Sequence, residues 1–318
     1  MTGPASDHFN GKRFFNPGDR EGRGWGDLLR WKLTSRPVPW PERIDLTPRP
    51  PPAAPRSGLA ATWIGQSTFL LQSPQGNFLT DPIYSRRASP LPWLGPARAI
   101  PPGIPFELLP RIDTVLLSHD HFDHCDLPTL RRLRRAFSPV VIAPLGHADL
   151  LKNADAAASV VELDWWQSHR LPGGAEVELV PARHWCRRSP GGDNLRLWGG
   201  FVLRAGERTV YFAGDSGYDE ELFPEIRRRR GEPDLALIPI GAYEPRWFMK
   251  EAHMDPGEAV GVHRLVGARL SVAMHWGTFQ LTDEGRDDPP RRLQEVLNEV
   301  GIPPGQFQVV APGDSVLV

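Results

Sequence analysis

Residues 114–124 read TVLLSHDHFDH, an apolar run that ends in a cluster of histidines and aspartates. The apolar run predicts a buried strand with metal-binding side chains directly behind it. The candidate ligands of this motif are His119, His121, Asp123 and His124. Neutral imidazoles and carboxylates suit zinc and its neighbours in the first transition row. A surface histidine cluster or an expression tag is the alternative, but a tag would be a homopolymer at a chain end. The pattern therefore predicts a metal site.

Three further candidate ligands each follow a predicted strand elsewhere in the chain. They are His184, Asp215 and His275. A single histidine behind a strand is more often a hydrogen-bonded structural residue than a ligand. The shared position argues otherwise, because an α/β scaffold brings side chains from distant parts of the sequence together at strand ends. We therefore expect these residues to join the motif in a site for two metal ions.

Strand-like and helix-like segments interleave from residue 59 onward. The predicted strands span 61–71, 76–80, 111–118, 140–144, 176–181, 198–204, 209–213, 234–240, 270–274 and 308–310, and the predicted helices span 127–137 and 291–300. Asp126 is the expected N-cap of the first helix. Two predicted hairpins, 61–80 and 198–213, each deliver a carboxylate behind their second strand, namely Asp81 and Asp215.

The composition limits the class of protein. A chain of 318 residues that is 40% hydrophobic can bury one large domain or two small ones. A net charge of −1 provides no general attraction for nucleic acid or anionic membranes. Two cysteines, Cys125 and Cys186, are too few for a disulfide framework and suit a reducing compartment. Both lie near candidate ligands, so a thiolate ligand stays open beside the role of a small buried side chain.

The first 58 residues differ from the rest. They are rich in proline and arginine, with PRPPPAAP at 48–55, and predict an irregular arm (1–58) that wraps the surface of the main domain (59–318). The start lacks the charged and apolar regions of a secretory signal. No apolar run approaches the roughly 18 residues of a spanning helix. We expect a soluble, cytoplasmic protein that is at most peripheral to a membrane.

The order HxHxDH, His, Asp, His resembles the metallo-β-lactamase superfamily, with Asp81 at its first acidic motif. The closer resemblance is to the N-acyl phosphatidylethanolamine phospholipase D branch, and it extends over residues 11–318. It is carried by WIG at 63–65, ELDWW at 162–166, GAYEPRWFMK at 241–250 and HWGTF at 275–279. The chain has Gln66 where the branch has His, and Phe122 where the branch has Tyr. Both departures can alter substrate choice without removing the metals.

The resemblance implies an αββα sandwich, that is, two mixed β-sheets flanked by helices. It also implies how the ligands are shared between two zinc ions, for which manganese or iron are alternatives. The implied arrangement is His119, His121 and His184 on one ion, Asp123, His124 and His275 on the other, and Asp215 as a bridge. Asp81 is implied to support the ligands by hydrogen bonding.

The implied activity is that of a phosphodiesterase of the phospholipase D type, acting on N-acyl phosphatidylethanolamine or a related phospholipid. Zinc lowers the pKa of its bound water toward about 7, so a hydroxide oriented by Asp123 would attack phosphorus. His253 lies at a family position associated with the active site and would stabilise the phosphate or act as general acid. Its alternative role is to cap a helix before Asp255 and Pro256.

Other functions stay open at this stage. The same metals can serve a lactonase or amidase, or a hydrolase of a soluble phosphodiester. Neutral charge argues against a nuclease, and His121 argues against a diiron redox protein, which typically carries Glu there. A non-catalytic, metal-binding scaffold is a further alternative. It fits less well, because a purely structural metal site is usually a closed cage of four ligands. Four aromatic residues either line a cleft for acyl chains or pack the core: Trp185, Tyr243, Trp247 and Phe248. The oligomeric state is open, a homodimer included, as is peripheral membrane contact.

Overall fold

The structure, a computed structural model, describes residues 6–18 and 25–318. One sheet of seven strands is built mainly from the first half of the chain. Its strands are β1 Ala60–Gly65, β2 Thr68–Ser73, β3 Gly76–Thr80, β4 Thr114–Leu116, β5 Val140–Pro144, β6 Ser159–Leu163 and β14 Ser315–Leu317. Their order is β14-β1-β2-β3-β4-β5-β6. The β14–β1–β2–β3 part is antiparallel, and β3 to β6 are parallel.

A second sheet of seven strands comes from the other half. Its strands are β7 Ser168–Arg170, β8 Glu176–Val180, β9 Gly200–Ala205, β10 Arg208–Phe212, β11 Leu235–Pro239, β12 Leu270–Met274 and β13 Phe307–Gln308. Their order is β13-β12-β11-β10-β9-β8-β7, with β10 to β13 parallel and β7 to β10 antiparallel. Both sheets are therefore mixed.

Helices cover the outer faces of the sheets. They are α1 Trp25–Thr34, α2 Leu127–Phe137, α3 His147–Ala154, α4 Leu222–Arg230, α5 Arg246–Met249, α6 Pro256–Val266 and α7 Asp288–Val300, with a 3-10 turn at Phe106–Leu108. Helix α3 packs on β5 and β6 and contacts α2, whereas α6 packs on β11 and contacts α4 and α7. Within the described parts of the chain, no helix has the length and apolarity needed to cross a bilayer.

Successive side chains of a strand point to opposite faces of the sheet, and this alternation divides the core into two clusters. Phe69 and Leu71 of β2 join the large cluster that unites both sheets, whereas Leu70 faces the smaller cluster under α2. Leu130 and Leu133 close that smaller cluster from the helix side. A strand with apolar residues on both faces is covered on both faces. The predicted αββα sandwich is thus confirmed.

Several predicted elements need correction. The segment 61–71 is two strands, because Gly65 and Gln66 have positive φ (138° and 53°) and turn the chain sharply. Asp126 is the N-cap residue of α2, as predicted, but its carboxylate makes no capping bond and instead accepts hydrogen bonds from Ser85. The predicted arm is not wholly irregular, since α1 lies within it. The closing strand at 308–310 is shorter than predicted and is followed by β14.

Candidate metal centre

Strand ends from both sheets deliver the predicted ligands to one place. In the first sheet, the motif residues follow β4. In the second sheet, His184 follows β8, Asp215 follows β10 and His275 follows β12. The seven predicted ligands therefore come together although they span 157 positions, from His119 to His275 counted inclusively.

Three histidines form the first candidate metal group. Nδ1 of His121 lies 3.0 Å from Nε2 of His119 and 3.3 Å from Nε2 of His184. Four ligands held tetrahedrally about 2.05 Å from a zinc ion would be about 3.3 Å apart, so these separations suit that ion. His119 and His184 are buried, and His121 is partly exposed.

A second group combines two histidines with two carboxylates. Oδ2 of Asp123 lies 3.2 Å from Nε2 of His124 and 3.2 Å from Nε2 of His275. Oδ2 of Asp215 lies 3.1 Å from each of the same nitrogens. These four separations again match the spacing of donors around one small cation.

Asp215 is the residue that links the two groups. Its Oδ2 lies 4.0 Å from Nε2 of His119 and 3.9 Å from Nε2 of His184, beside the closer contacts to the second group. Its other oxygen, Oδ1, is buried and has no hydrogen-bond partner among the described residues. A carboxylate in this position can bind two neighbouring cations at once.

Hydrogen bonds on the far side of the ring orient three of the five candidate histidines. Nδ1 of His184 lies 3.0 Å from the carbonyl oxygen of Ala252 and must donate to it, so Nε2 carries the lone pair. Nδ1 of His124 likewise faces Oδ2 of Asp81 at 2.7 Å. Ser118 Oγ contacts both Asp81 Oδ2 (2.5 Å) and His119 Nδ1 (2.8 Å). These partners lie away from the centre and orient the rings toward it.

The donor set fits a metal better than it fits a purely hydrogen-bonded core. With Nδ1–H of His124 donated to Asp81, its Nε2 lone pair faces the oxygens of Asp123 and Asp215. A lone pair opposite two carboxylate oxygens is repulsive unless a cation or a proton lies between them. Neutral imidazoles together with ionised carboxylates are the ligands that zinc prefers.

Ionisation of several groups agrees with this fit. Burial, reinforced by nearby imidazoles, holds the pKa of His119 well below its usual value, and burial does the same for His184. Burial alone would raise the pKa of Asp215, but attraction to His124 and His275 in their protonated form outweighs it and holds that pKa well below the usual range, so this carboxylate favours a positive charge beside it. Two histidines are therefore neutral and the carboxylate is ionised near neutral pH.

His253, just before α6, lies beside the candidate ligands that follow the strands of the second sheet. Its Nδ1 is 3.9 Å from Oδ2 of Asp215, and this nitrogen has no hydrogen-bond partner within residues 6–18 and 25–318. The N-cap of α6 is Asp255, which forms a capping box with Glu258. His253 therefore does not cap that helix, and its side chain faces the candidate ligands.

Gln66 contributes in a way that the sequence pattern did not indicate. Its side-chain amide donates to Oδ2 of Asp123 at 2.8 Å. Its carbonyl oxygen accepts from the backbone N–H of His275 at 3.0 Å, and its own N–H donates to Thr278 at 2.8 Å. The sequence singled it out only as a departure from the family. Gly65, inside the predicted strand 61–71, is the sequence signal that could have indicated this turn.

The other residues singled out by sequence lie as follows. Cys125 and Cys186 are fully buried and belong to neither candidate group; burial raises the pKa of Cys125 to about 12. Trp185 packs edge-on against His121 at 4.5 Å between ring centroids. The remaining aromatics lie elsewhere: Tyr243 is buried, Phe248 stacks on Trp31 of α1, and Trp247 lies under Arg30 with 42% of its surface exposed.

This chain is similar in sequence to one protein family and to several named proteins. A family model described as "Beta-lactamase superfamily domain" matches residues 76–276. N-acyl-phosphatidylethanolamine-hydrolyzing phospholipase D 1 of Caenorhabditis elegans is 40% identical over 76% of this chain and 70% of its own length. The mitochondrial enzyme of the same name from Saccharomyces cerevisiae is 35% identical over 76% of this chain, which spans about half (52%) of the yeast protein.

A solved structure supports the fold. Igni18, a metallo hydrolase from the archaeon Ignicoccus hospitalis, superposes with a TM-score of 0.62 over 82% of this chain and 99% of its own. Its sequence identity is 20%, so the likeness concerns the fold alone.

Proposed function

This chain belongs to the β-lactamase superfamily, in the branch of the N-acyl-phosphatidylethanolamine-hydrolyzing phospholipases D, and from that membership we propose that it is a metal-dependent phosphodiesterase. Its substrate would be N-acyl phosphatidylethanolamine or a related phospholipid, cleaved in the manner of a phospholipase D. It would act in the cytoplasm, at the surface of a membrane.

The position of Asp215 carries the proposal. One carboxylate oxygen lies within 4.0 Å of donor atoms from both candidate groups, and the other has no partner among the described residues. A structural metal site is a closed cage around one ion. Two groups that share an acid instead suit hydrolysis, in which two cations act on one phosphoryl group.

Two zinc ions are the proposed cofactors. His119, His121 and His184 would hold one ion, Asp123, His124 and His275 the other, and Asp215 both. When bound, such ions supply an activated water near neutral pH and neutralise the charge that develops on phosphoryl oxygens.

The chain's own residues would complete the reaction. Asp123, held by the Gln66 amide at 2.8 Å, keeps one oxygen fixed while the carboxylate orients the attacking water. His253 would donate an N–H to a phosphoryl oxygen or to the departing alkoxide, which needs either charge relief or a proton. Its unpartnered Nδ1, 3.9 Å from Asp215, is close enough to the candidate ligands for this role.

The test combines metal analysis with a choice of substrates. Purified protein should contain close to two equivalents of metal and should convert N-acyl phosphatidylethanolamine into phosphatidic acid and an N-acylethanolamine. The comparison substrates are bis-p-nitrophenyl phosphate, an acyl lactone and a β-lactam. Faster turnover of the lactone or β-lactam than of either phosphodiester would favour a carbonyl hydrolase. Protein that neither contains nor takes up metal would refute the proposal.

A further inference from the structure

The chain between Asp81 and the 3-10 turn at Phe106–Leu108 projects from the fold and ends in an exposed apolar tip. We call residues 85–98 the finger, and residues 90–95, with the sequence PLPWLG, its tip. All six tip residues are exposed. Trp93 is 72% exposed, Leu94 61% and Leu91 38%. Large apolar side chains exposed together mark a site of interaction.

The finger is held in shape by its own backbone. Its two stems pair through a bridge between Arg87 and Ala97, and the N–H of Ala88 donates to the carbonyl of Pro96 at 3.1 Å. Gly95 turns the chain with a φ of +92°, and any Cβ there would press against the opposite stem. The tip is therefore a formed projection, and its apolar side chains have no place in the core.

Both stems are anchored in the loops that carry candidate ligands. On the incoming side, Ser85 donates from its N–H (3.0 Å) and its hydroxyl (2.8 Å) to the carboxylate of Asp126, two residues after the motif. On the outgoing side, the N–H of Ala99 donates to the carbonyl of Thr278 at 2.8 Å, three residues after His275. The position of the tip is thus fixed relative to the candidate metal centre.

The charge of this segment favours an anionic surface. Residues 82–106 contain three arginines and no acidic residue, although the chain has 38 Asp and Glu in all. Arg98 turns inward and donates to the carbonyl of Ile83 at 2.6 Å, whereas Arg86 is exposed at the base of the finger, opposite Arg98. Tryptophan prefers the interface between headgroups and acyl chains, and exposed basic residues are attracted to anionic headgroups.

The tip is poorly suited to a protein partner. Pro90, Pro92 and Pro96 have no N–H to donate, so this segment cannot add a regular strand to another sheet. Six residues also fall far short of the roughly 20–30 residues per side of a stable protein interface. A bilayer needs neither a paired strand nor a large matching surface.

We propose that the finger docks this protein on a lipid bilayer, with Trp93, Leu94 and Leu91 among the acyl chains and Arg86 at the headgroups. The inference rests on the phospholipid substrate proposed above and names the surface that meets it. Because its stems are anchored beside the candidate ligands, docking of the tip holds the candidate metal centre close to the membrane surface.

The test is flotation of the full-length protein with vesicles of phosphatidylcholine alone and of phosphatidylcholine mixed with phosphatidylglycerol. The double variant Trp93→Ser/Leu94→Ser should lower the vesicle-bound fraction about tenfold or more, since two large apolar side chains lose their burial. Leu317→Ser is the matched control, because Leu317 is 73% exposed on an edge strand. Arg86→Glu should weaken binding to the mixed vesicles only.

Several results would overturn the docking role. One is equal vesicle binding by the wild type and the double variant, and another is no vesicle binding by the wild type. A third is that the wild type is a dimer in lipid-free buffer whereas the double variant is a monomer. Unchanged thermal midpoint and unchanged turnover of bis-p-nitrophenyl phosphate show that the double variant is folded. Finger-dependent binding by a protein that cleaves no phosphodiester would sustain docking and refute the proposed function. Phospholipid cleavage by a protein whose vesicle binding does not depend on the finger would sustain the proposed function and refute docking.

Discussion

Asp81 and Asp215 occupy comparable places in the two sheets, yet their surroundings are opposite. Each follows the second strand of a hairpin, and that strand lies beside a parallel neighbour. The carboxylate of Asp81 accepts from the N–H and hydroxyl of Ser118 (2.7 and 2.5 Å) and faces Nδ1 of His124 at 2.7 Å. Asp215 Oδ1 accepts from no described residue. One acid is saturated with donors, and the other is available to cations.

The backbone register explains the difference. Asp81 N–H donates to Leu116 at 3.0 Å, and Ala213 N–H donates to Leu237 at 3.1 Å, so Ala213 is the counterpart of Asp81. Asp215 therefore lies two residues further from its sheet. The counterpart of Ser118 is Pro239, two residues after Leu237, which has no N–H to donate. The same kind of hairpin therefore yields a supporting acid or a candidate ligand. Which one it yields depends on how far the acid lies beyond its strand and on whether the neighbouring strand offers N–H or hydroxyl donors to it.

The largest effect should come from removing the linking acid. Asp215→Ala takes one donor from both candidate groups, so we expect a loss of turnover of about 10³-fold or more and fewer than two equivalents of bound metal. Elemental analysis and phosphodiester kinetics measure both. Added zinc should not restore activity. Full activity with two metals bound would remove the distinction between the two acids.

The next largest effect should come from His253, which approaches Asp215 but is assigned no metal. His253→Ala should lower kcat about 10²-fold and leave the metal content unchanged, because only a donor to the phosphoryl or leaving oxygen is lost. His263→Asn is the control, since His263 is a buried histidine of α6 that bonds to Ser271. Loss of metal from the His253 variant would instead make it a ligand.

Changing the supporting acid should give a smaller and reversible defect. Asp81→Asn keeps the volume but loses the charge that orients His124, so the apparent metal affinity should fall about 10–100-fold. Competition with a chelator measures this affinity. In contrast to Asp215→Ala, excess zinc should restore most of the turnover. Failure of that rescue would mean that Asp81 does more than hold a ring in place.

The smallest effect should come from the hydroxyl between the support and the ligands. Ser118→Ala removes one hydrogen bond from Asp81 and one contact of His119, which corresponds to about 1 kcal/mol, or a severalfold loss of metal affinity. Ser216→Ala is the matched control beside Asp215. Among the described residues, the Ser216 hydroxyl accepts from the backbone N–H of Arg183 and donates to the backbone carbonyl of Gly217, so its loss should affect stability and not metal affinity.

Much of the fold could be predicted because periodicity and packing agree there. Helix α2 has the predicted bounds, since Leu130 and Leu133 fall on one buried face between a proline start and a left-handed end at Ser138. Strands β5 and β12 also match, because both are short apolar runs bounded by turns. In these segments the local preference and the buried environment favour the same structure.

The sequence-based predictions were incomplete near the candidate metal centre, where contacts between distant parts of the chain determine the local structure. Gly65 is the sequence signal for the turn at Gln66, but the contacts with Thr278 and His275 that stabilise the turn come from the other sheet. Asp126 occupies the predicted N-cap position of α2, but its carboxylate binds Ser85 at the base of the finger and makes no capping bond. Both depend on partners distant in the chain, which periodicity cannot reveal. The convergence of the seven candidate ligands could be predicted because each follows an apolar strand.

The Gln66 turn has a consequence for how the protein matures. Its bonds reach 57 residues ahead to Asp123 and 212 residues ahead to Thr278, so the turn is complete only after both halves of the chain have been synthesised and docked. Closing loops of that length is a late and entropically costly event in folding. A nascent chain therefore lacks an organised candidate metal centre, and metal binding should wait until both halves of the chain have been synthesised.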